Sequence, residues 1–408
     1  MAGEHFTQAW RNLWRNRRRS LITIGALAFT VALLVLTGSL SEGMVRGMIR
    51  SATETSMGLV EAHAPGYRSE HSFYNSIADD RPIMEAADRL GIAVTRRSYG
   101  FGLAAFGEKS AGAQVWGVDP AAERKAFRFP QKLVEGEFPG DAAEGKVVLG
   151  RKLARILKAG VGDDIVLVVQ AADGSMGNEL LRVSGIFAFI GDDFDRSAAV
   201  VHADDFERLF VSEGRIHELA FIAHDGRTAE EMAAQLAPFA GPLEMKTWRE
   251  LAPPLSDMDL MMRGMMAFMA LVFSLAAGFG VVNTMAMAVH ERVREYGVLK
   301  ALGATPMRLF TDTSIEALLM GCLGSALGGV LGVLLSWWFH VHPIDLSGAL
   351  GDISFVGVAF DTKWQADFSP DVLFINGVIM IVLSWAVSIL PAFRAARLNA
   401  VEAINHDG

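Results

Sequence analysis

The segment GDAAEGKV, 140–147, has the glycine and Gly-Lys spacing of a loop that cradles phosphate on backbone N–H groups. Val147 stands where that chemistry needs a Ser or Thr hydroxyl for Mg²⁺, and a strand-like run follows it. The segment therefore reads as a surface turn, and the chain is expected to hold no nucleotide site of its own. His340 and His342 are two apart, point to different faces of a helix and have no third ligand, so no metal site is expected. The acidic cluster GDDFD, 191–195, lacks the pattern of a calcium loop and reads as a solvated turn. Hydrolase-type nucleophile motifs are absent. A membrane-embedded enzyme would put polar groups inside its apolar runs, where only Asn283 and Asn376 stand out. No catalytic residue is assigned.

The elements that position these residues are dominated by apolar sequence. Hydrophobic residues make up 51% of the 408, and the mean hydropathy is +0.29, high for a soluble chain. Four windows, 21–40, 265–289, 317–339 and 372–390, contain no Asp, Glu, Lys or Arg and are long enough to cross about 30 Å of hydrocarbon as helices. The first follows Arg17, Arg18 and Arg19 but is too long for a secretory leader and reads as an uncleaved anchor.

Basic residues set the expected orientation, because Lys and Arg in short flanks oppose translocation. Five Arg lie in the first 20 residues, four basic residues in 290–316 and two after Leu390, whereas 340–371 has only Lys363 against five Asp. Both termini (1–20 and 391–408) and the 290–316 connection are expected to be cytoplasmic, with 41–264 and the 340–371 loop outside. The large outer segment has 25 basic and 34 acidic residues, which argues against nucleic acid as a partner. The sole cysteine, Cys322, excludes an intrachain disulfide.

The fold class expected is an integral membrane protein of four transmembrane helices with a large α+β domain between the first and second. Strand-like runs at 58–64, 113–119, 146–150, 164–170 and 180–190 alternate with Gly, Asp and Pro turns. Helices are expected at 151–160, closing on Gly160, and at 228–239, opening on Thr228 with Glu231 three residues on.

Between the second and third apolar windows lies the charged stretch HERVREYGVLKALGATPMRLF, 290–310. Val293, Tyr296, Leu299 and Leu302 recur on one side, with Glu291, Arg292, Arg294, Glu295 and Lys300 as the polar remainder. Gly303 suits a left-handed cap, and Thr305-Pro306 a cap followed by proline at the first helical position. The stretch reads as helix, tight turn, helix, either lying on lipid headgroups or docked in a partner's groove.

Two patterns bear on packing and one on a ligand. Gly324, Gly328 and Gly332 make a smooth stripe in the third window, suited to another helix of the same chain or of a second chain. Phe6, Trp10, Leu13 and Trp14 form one face of an interfacial helix. Met258, Met261, Met262, Met265, Met266 and Met269 are six of the 19 methionines. Met258, Met262, Met265 and Met269 fall on one helical face, suited either to core packing or to a cavity for apolar ligands.

ERVREYGVLKALGATP, LPAFRAARLNAVEAI (390–404) and AWRNLWRNRRRSLIT (9–23) resemble signature segments of the FtsX/MacB superfamily of ABC transporter permeases, the lipoprotein-releasing LolC/LolE type in particular. Tyr296 replaces a usual aliphatic residue and Ala400 a common proline. The resemblance implies a coupling helix seated on a separate ATPase, with Glu291, Arg294, Glu295, Tyr296, Gly297, Lys300, Gly303 and Pro306 as coupling residues. It implies ATP and Mg²⁺ on that partner and none in this chain, with two ATPase copies and two permease chains, identical or paralogous, per assembly. An outer domain of two lobes is also implied, with a middle insertion near 100–205. The segment QAADGSMGNEL, 170–180, polar and flexible by its two glycines, suits either an ordinary hairpin or a binding loop; by the resemblance it occupies the place of a chaperone-binding hook, which would assign Asp173, Gly174, Ser175, Met176 and Gly177 to a periplasmic chaperone or adaptor. Three functions fit the resemblance. One is extraction of lipoproteins from the outer leaflet of the cytoplasmic membrane, another is MacB-like efflux of small amphiphiles or peptides, and the third is FtsX-like activation of a cell-wall hydrolase.

Overall fold

The computed structural model describes residues 2–188, 190–345, 354–355, 358–359 and 363–397. Most of the 340–371 loop, the end of the C-terminal signature beyond 397 with its Ala400, and the side chain of Phe6 lie outside the described residues. The chain divides into a membrane unit and an inserted domain, and the divisions fall within two long helices, after Val45 and after Met258.

The membrane unit is helical because hydrocarbon offers no partner for backbone N–H and C=O groups, so they must bond within the segment. After α1 (Ala2–Arg15) comes α2 (Arg17–Ala52), the first of four helices apolar enough to cross a membrane. Short helices of the inserted domain follow: α3 (Tyr67–Glu70), α4 (Arg81–Leu90), α5 (Pro120–Ala126), α6 (Arg151–Leu157), α7 (Asp192–Ser197), α8 (Ala203–Phe210), α9 (Ala229–Leu236) and α10 (Trp248–Leu251). The chain then returns through α11 (Pro253–Glu291), α12 (Val293–Ala301), α13 (Pro306–Val341) and α14 (Pro370–Arg397). Both α2 and α11 run well beyond their uncharged windows.

The glycine stripe packs within the chain. A Cβ added at Gly324 would lie 2.6 Å from the Cβ of Leu27, and one at Gly332 would lie 2.7 Å from that of Val35. At Gly328 it would strike the carbonyl of Ala28. Gly324, Gly328 and Gly332 thus bring α13 against α2 at backbone distance, the small-residue mode of contact in membranes. One quarter-turn away, Gly321 and Gly329 do the same towards Ser384 and Leu373 of α14. Helix α11 joins the core through Val281 and Met285, and Thr284 and Thr23 share a 2.7 Å hydrogen bond.

The inserted domain carries ten strands: β1 (Val60–His63), β2 (Ala93–Phe106), β3 (Lys109–Val118), β4 (Leu133–Gly136), β5 (Lys146–Gly150), β6 (Asp164–Gln170), β7 (Met176–Phe187), β8 (Ala198–His202), β9 (Glu218–Ile222) and β10 (Glu244–Thr247). Their order is β10-β1-β9-β2-β3-β8-β5-β7-β4, and β6 pairs with both β2 and β7. The strands β2, β3, β8, β5, β7 and β6 therefore close on one another as a ring, which removes exposed edges. β2 belongs to the ring and to the open part with β9. Its Gly100 leaves room for Phe210, and Gly117 of β3 leaves room for Phe206. Those two rings stack 4.3 Å apart.

Two local expectations change, at the end of α6 and at GDDFD, while 140–147 is the turn before a strand that its sequence indicates. Helix α6 closes on Lys158, at φ 59, and not on Gly160. GDDFD is no solvated turn: Asp192 opens α7 and pairs with Lys152 and Arg196, and Asp195 is buried. At 140–147 the Gly145 N–H donates to the Asp205 carboxylate at 3.2 Å, and a strand follows rather than a helix. The N–H that a phosphate would use already serves a carboxylate. The capping box at Thr228 and Glu231 is present.

Candidate functional site

The α11–α12–α13 connection is a helix, tight turn, helix. Helix α11 ends at Glu291, the backbone breaks at Arg292 (φ −108, ψ 12), and α12 begins. Gly303, at φ 92, ends the motif. Its N–H donates to Lys300 at 3.0 Å while Ala304 N–H reaches Leu299 carbonyl at 2.9 Å, a Schellman closure. Thr305 Oγ1 then accepts from Arg308 N–H at 3.3 Å, and Pro306 occupies the first position of α13.

The side chains show which face is inward. Tyr296 is buried among Val289, Leu309 and Ala395, with Leu299 beside them. The apolar side of α12 is thus docked on its own bundle, not laid on headgroups, and Leu302 leaves that side at 80% exposed. Arg292, expected on the polar surface, is 4% exposed. Its Nη1 donates to Glu316 at 2.9 Å and its Nη2 to the Asn12 carbonyl at 3.3 Å. Helical periodicity misplaced it because it stands at the helix break, where the backbone is not helical.

Glu291 pairs with Arg19 at 2.9 Å and Glu295 with Arg15 at 3.0 Å, so both bind the chain's own first two helices. Lys300 Nζ donates to the Ala396 carbonyl at 2.6 Å, closing the end of α14, and Gly297 is buried. The outward face is Arg294, Val298 and Leu302, at intervals of four. Sequence reasoning counted only Arg294 of these among the coupling residues and placed Leu302 on the apolar side.

A second concentration of charge lies inside the domain. β1 places Glu61 and His63 on one face, and Glu218 of β9 and Arg97 and Tyr99 of β2 share it by register. Asp119 caps α5 by accepting from Ala121 and Ala122 N–H, which sets Glu123 one turn on. Arg97 is fully enclosed, donating to both oxygens of Glu123 at 2.7 and 3.0 Å, to Glu218 at 3.0 Å, and to the Ser56 carbonyl. Its guanidinium lies 4.5 Å from the Phe127 ring centre. Arg68 donates to Glu61 at 2.8 Å.

Hydrogen-bond logic fixes two opposite histidine states. His63 Nδ1 meets the His217 carbonyl at 3.0 Å and Nε2 meets Glu61 at 2.9 Å. Both are acceptors, and the same Glu61 oxygen also accepts from Arg68, so His63 is an imidazolium. Burial opposes that charge, but Glu61 and Glu218 outweigh it, and the pKa is raised above 6.5. His217 accepts from Tyr99 N–H at Nδ1 and donates to the Phe73 carbonyl from Nε2, the pattern of a neutral ring, and burial lowers its pKa. Burial, then Glu61, raises the pKa of Glu218. Glu61, His63 and Glu218 bring three ligand-type atoms within 4.8 Å. Guanidinium groups already pair with both carboxylates, so an incoming cation would have to displace Arg68 and Arg97. Sequence reasoning missed this cluster. Its one signal was charge inside strand-like runs, as in VEAH and HELAFI.

At the β6–β7 hairpin, Asp173 Oδ1 accepts from Ser175 N–H at 2.9 Å and Oγ at 2.6 Å, and Gly174 takes φ 84. Gly177 lies in β7, paired with Val169 of β6, and abuts the Leu209 carbonyl. Met176 is 71% exposed, on the same sheet face as Leu103 and Leu180.

The methionine face divides. Met258 is buried beside Trp248 and Leu255 in the domain core and lines no membrane cavity. Met262 and Met269 are half-buried, while Met265 is exposed in a line with Met261, Phe268, Val272, Leu275 and Phe279. That line alternates steps of four and three, one face of α11.

Four membrane helices with a mixed α/β domain inserted between the first and second define an integral inner-membrane protein of permease type. Comparison with known proteins gives its family. Residues 20–239 match the MacB-like periplasmic core domain and residues 267–400 the FtsX-like permease C-terminal domain. The chain belongs to the FtsX/MacB superfamily of ABC transporter permeases.

It is similar to the lipoprotein-releasing system transmembrane protein LolC of Neisseria meningitidis, with 24% identity covering 95% of this chain and 92% of that protein. LolC of Xylella fastidiosa is 26% identical over 74% of this chain and 75% of its own length. The macrolide export ATP-binding/permease protein MacB of Escherichia coli is 25% identical over 98% of this chain and 60% of that protein. The periplasmic region of MacB from Actinobacillus actinomycetemcomitans aligns with 50% of this chain and 93% of that structure, at 15% identity and a TM-score of 0.35.

Proposed function

We propose that this chain is the permease subunit of an ATP-driven transporter that extracts lipoproteins from the outer leaflet of the cytoplasmic membrane. The observation that carries the reading is the similarity to LolC along 95% of the chain. In this reading two copies of a separate ATPase bind ATP and Mg²⁺ and seat against α12, through Arg294, Val298, Leu302 and the rim around Glu291, Glu295, Gly303 and Pro306. A second permease chain, identical or paralogous, completes the assembly. Both termini face the cytoplasm with α12, and the inserted domain faces the periplasm. The exposed line through Met261 and Met265 meets lipid and the acyl chains of the cargo, aided by methionine's adaptable shape. The Asp173–Ser175 turn with Met176 receives a periplasmic chaperone or adaptor.

A second reading, MacB-like efflux of small amphiphiles or peptides, is favoured by the match to MacB over 98% of this chain. Isolation of the chain from native membranes in mild detergent separates the two. The first reading expects an ATPase subunit and acylated protein to co-purify. An adaptor with small amphiphiles and no acylated protein would favour the second.

A further inference from the structure

The contacts at the foot of the membrane unit point to Arg292 as more than one member of a charged stretch. It sits at the break between α11 and α12, and its guanidinium reaches both α13, through Glu316, and α1, through the Asn12 carbonyl. Tyr296, one turn along α12, is buried against Val289, Leu309 of α13 and Ala395 of α14. One buried side chain therefore joins four helical segments.

The neighbouring ion pairs do not substitute for it. Arg15–Glu295 is about half exposed on both sides and Arg19–Glu291 is open on the Glu side, and pairs of that kind contribute little in water. Arg292 and Glu316 are buried, at 4% each, so removing one leaves the other unpaired away from water. Arginine suits the position because its planar fork serves a carboxylate and a carbonyl at once. A lysine would keep the charge and lose that simultaneous reach.

We propose that Arg292 is the positioning residue that locks α1, α12 and α13 into one rigid coupling element. A displacement of α12 then reaches the third membrane helix through Glu316. It also reaches the first, through α1 and the α2–α13 glycine contact. The inference rests on the proposed seating of an ATPase against α12, but its structural half stands apart from that reading.

The test uses the full chain in nanodiscs with Cys322 replaced by serine and spin labels at R11C and M307C, both exposed positions on α1 and α13. The unsubstituted chain is expected to give one narrow distance distribution. R292K should broaden it, as should E316Q, whose neutral amide keeps the side-chain shape. E295K, at the exposed pair, should leave it narrow. With the ATPase present, R292K should cut transport per ATP hydrolysed by about ten-fold or more while ATPase binding persists. An unchanged distribution in both R292K and E316Q overturns the lock. A broadened distribution with unchanged transport per ATP overturns the coupling role. Failure of the unsubstituted chain to bind any ATPase instead counts against the proposed function and leaves the distance result to judge the lock.

Discussion

Replacing Arg97 by methionine should be among the most destabilising single changes in the inserted domain. The side chain is 1% exposed and faces Glu123 and Glu218 at 0% and 8%. Methionine keeps much of the stem and its packing on Phe127, but leaves two carboxylates and the Ser56 carbonyl without their donor. Breaking a buried pair by removing one partner costs about 3–5 kcal/mol, against about 5–15 kcal/mol for the whole stability of a typical domain. With a urea slope of about 2 kcal/mol per molar, the midpoint should fall by about 1.5–2.5 M. Pulse proteolysis of the inserted domain in the full chain, read across a urea series, measures it. The deficit should be smaller at pH 5 than at pH 7, because a carboxylate whose folded pKa is raised, as for Glu218, is stabilised by taking a proton. A midpoint within about 0.3 M of the unsubstituted chain at pH 7, where a ~3 kcal/mol loss would shift it several-fold further, would show that the cluster is not held by Arg97.

His63 gives a pH dependence of definite sign. Its folded pKa is raised above 6.5, so the stability it contributes is fully present below about pH 6.5 and is lost as pH rises through the folded value. His63→Gln should flatten the urea midpoint against pH over that range, and an unchanged slope would assign the dependence elsewhere. Gly328→Leu should separate α13 from α2 and lower the yield of assembled chain, since its side chain would strike the Ala28 carbonyl, whereas Gly25→Ala meets nothing within 4 Å and should be neutral. Equal yields would mean that the two helices do not meet at that glycine. Met176→Asp should leave the domain's stability within about 0.5 kcal/mol, as exposed changes usually do, and should abolish capture of the chaperone or adaptor in pull-downs. Full capture would remove the hairpin from the proposed interface.

The parts of this protein that were legible in its sequence are those whose physics is local. Twenty uncharged residues announce a membrane helix, and the Gly303 turn with Thr305-Pro306 follows from backbone geometry alone. The glycine stripe was visible too, but only the structure shows that α2 fills it. β2 was missed because Arg96, Arg97, Gly100 and Gly102 break the strand pattern. Its glycines answer to Phe210 and Val169, which lie far away in sequence. The Arg97 cluster gathers residues from β1, β2, β9 and α5 and gives no spacing signal. Met258 was misassigned because α11 keeps one helical period while its surroundings change from membrane bundle to domain core.

The central claim, that this permease moves lipid-anchored protein, is tested most directly by a release assay. The chain, reconstituted with the ATPase that co-purifies with it, is given an acylated protein in the same vesicles and a soluble acceptor outside. The account predicts release into the soluble fraction that requires both ATP and the acyl group, and that is lost when the ATPase is omitted. Acylated protein that stays in the vesicles while ATP is hydrolysed and a small amphiphile is expelled would contradict it.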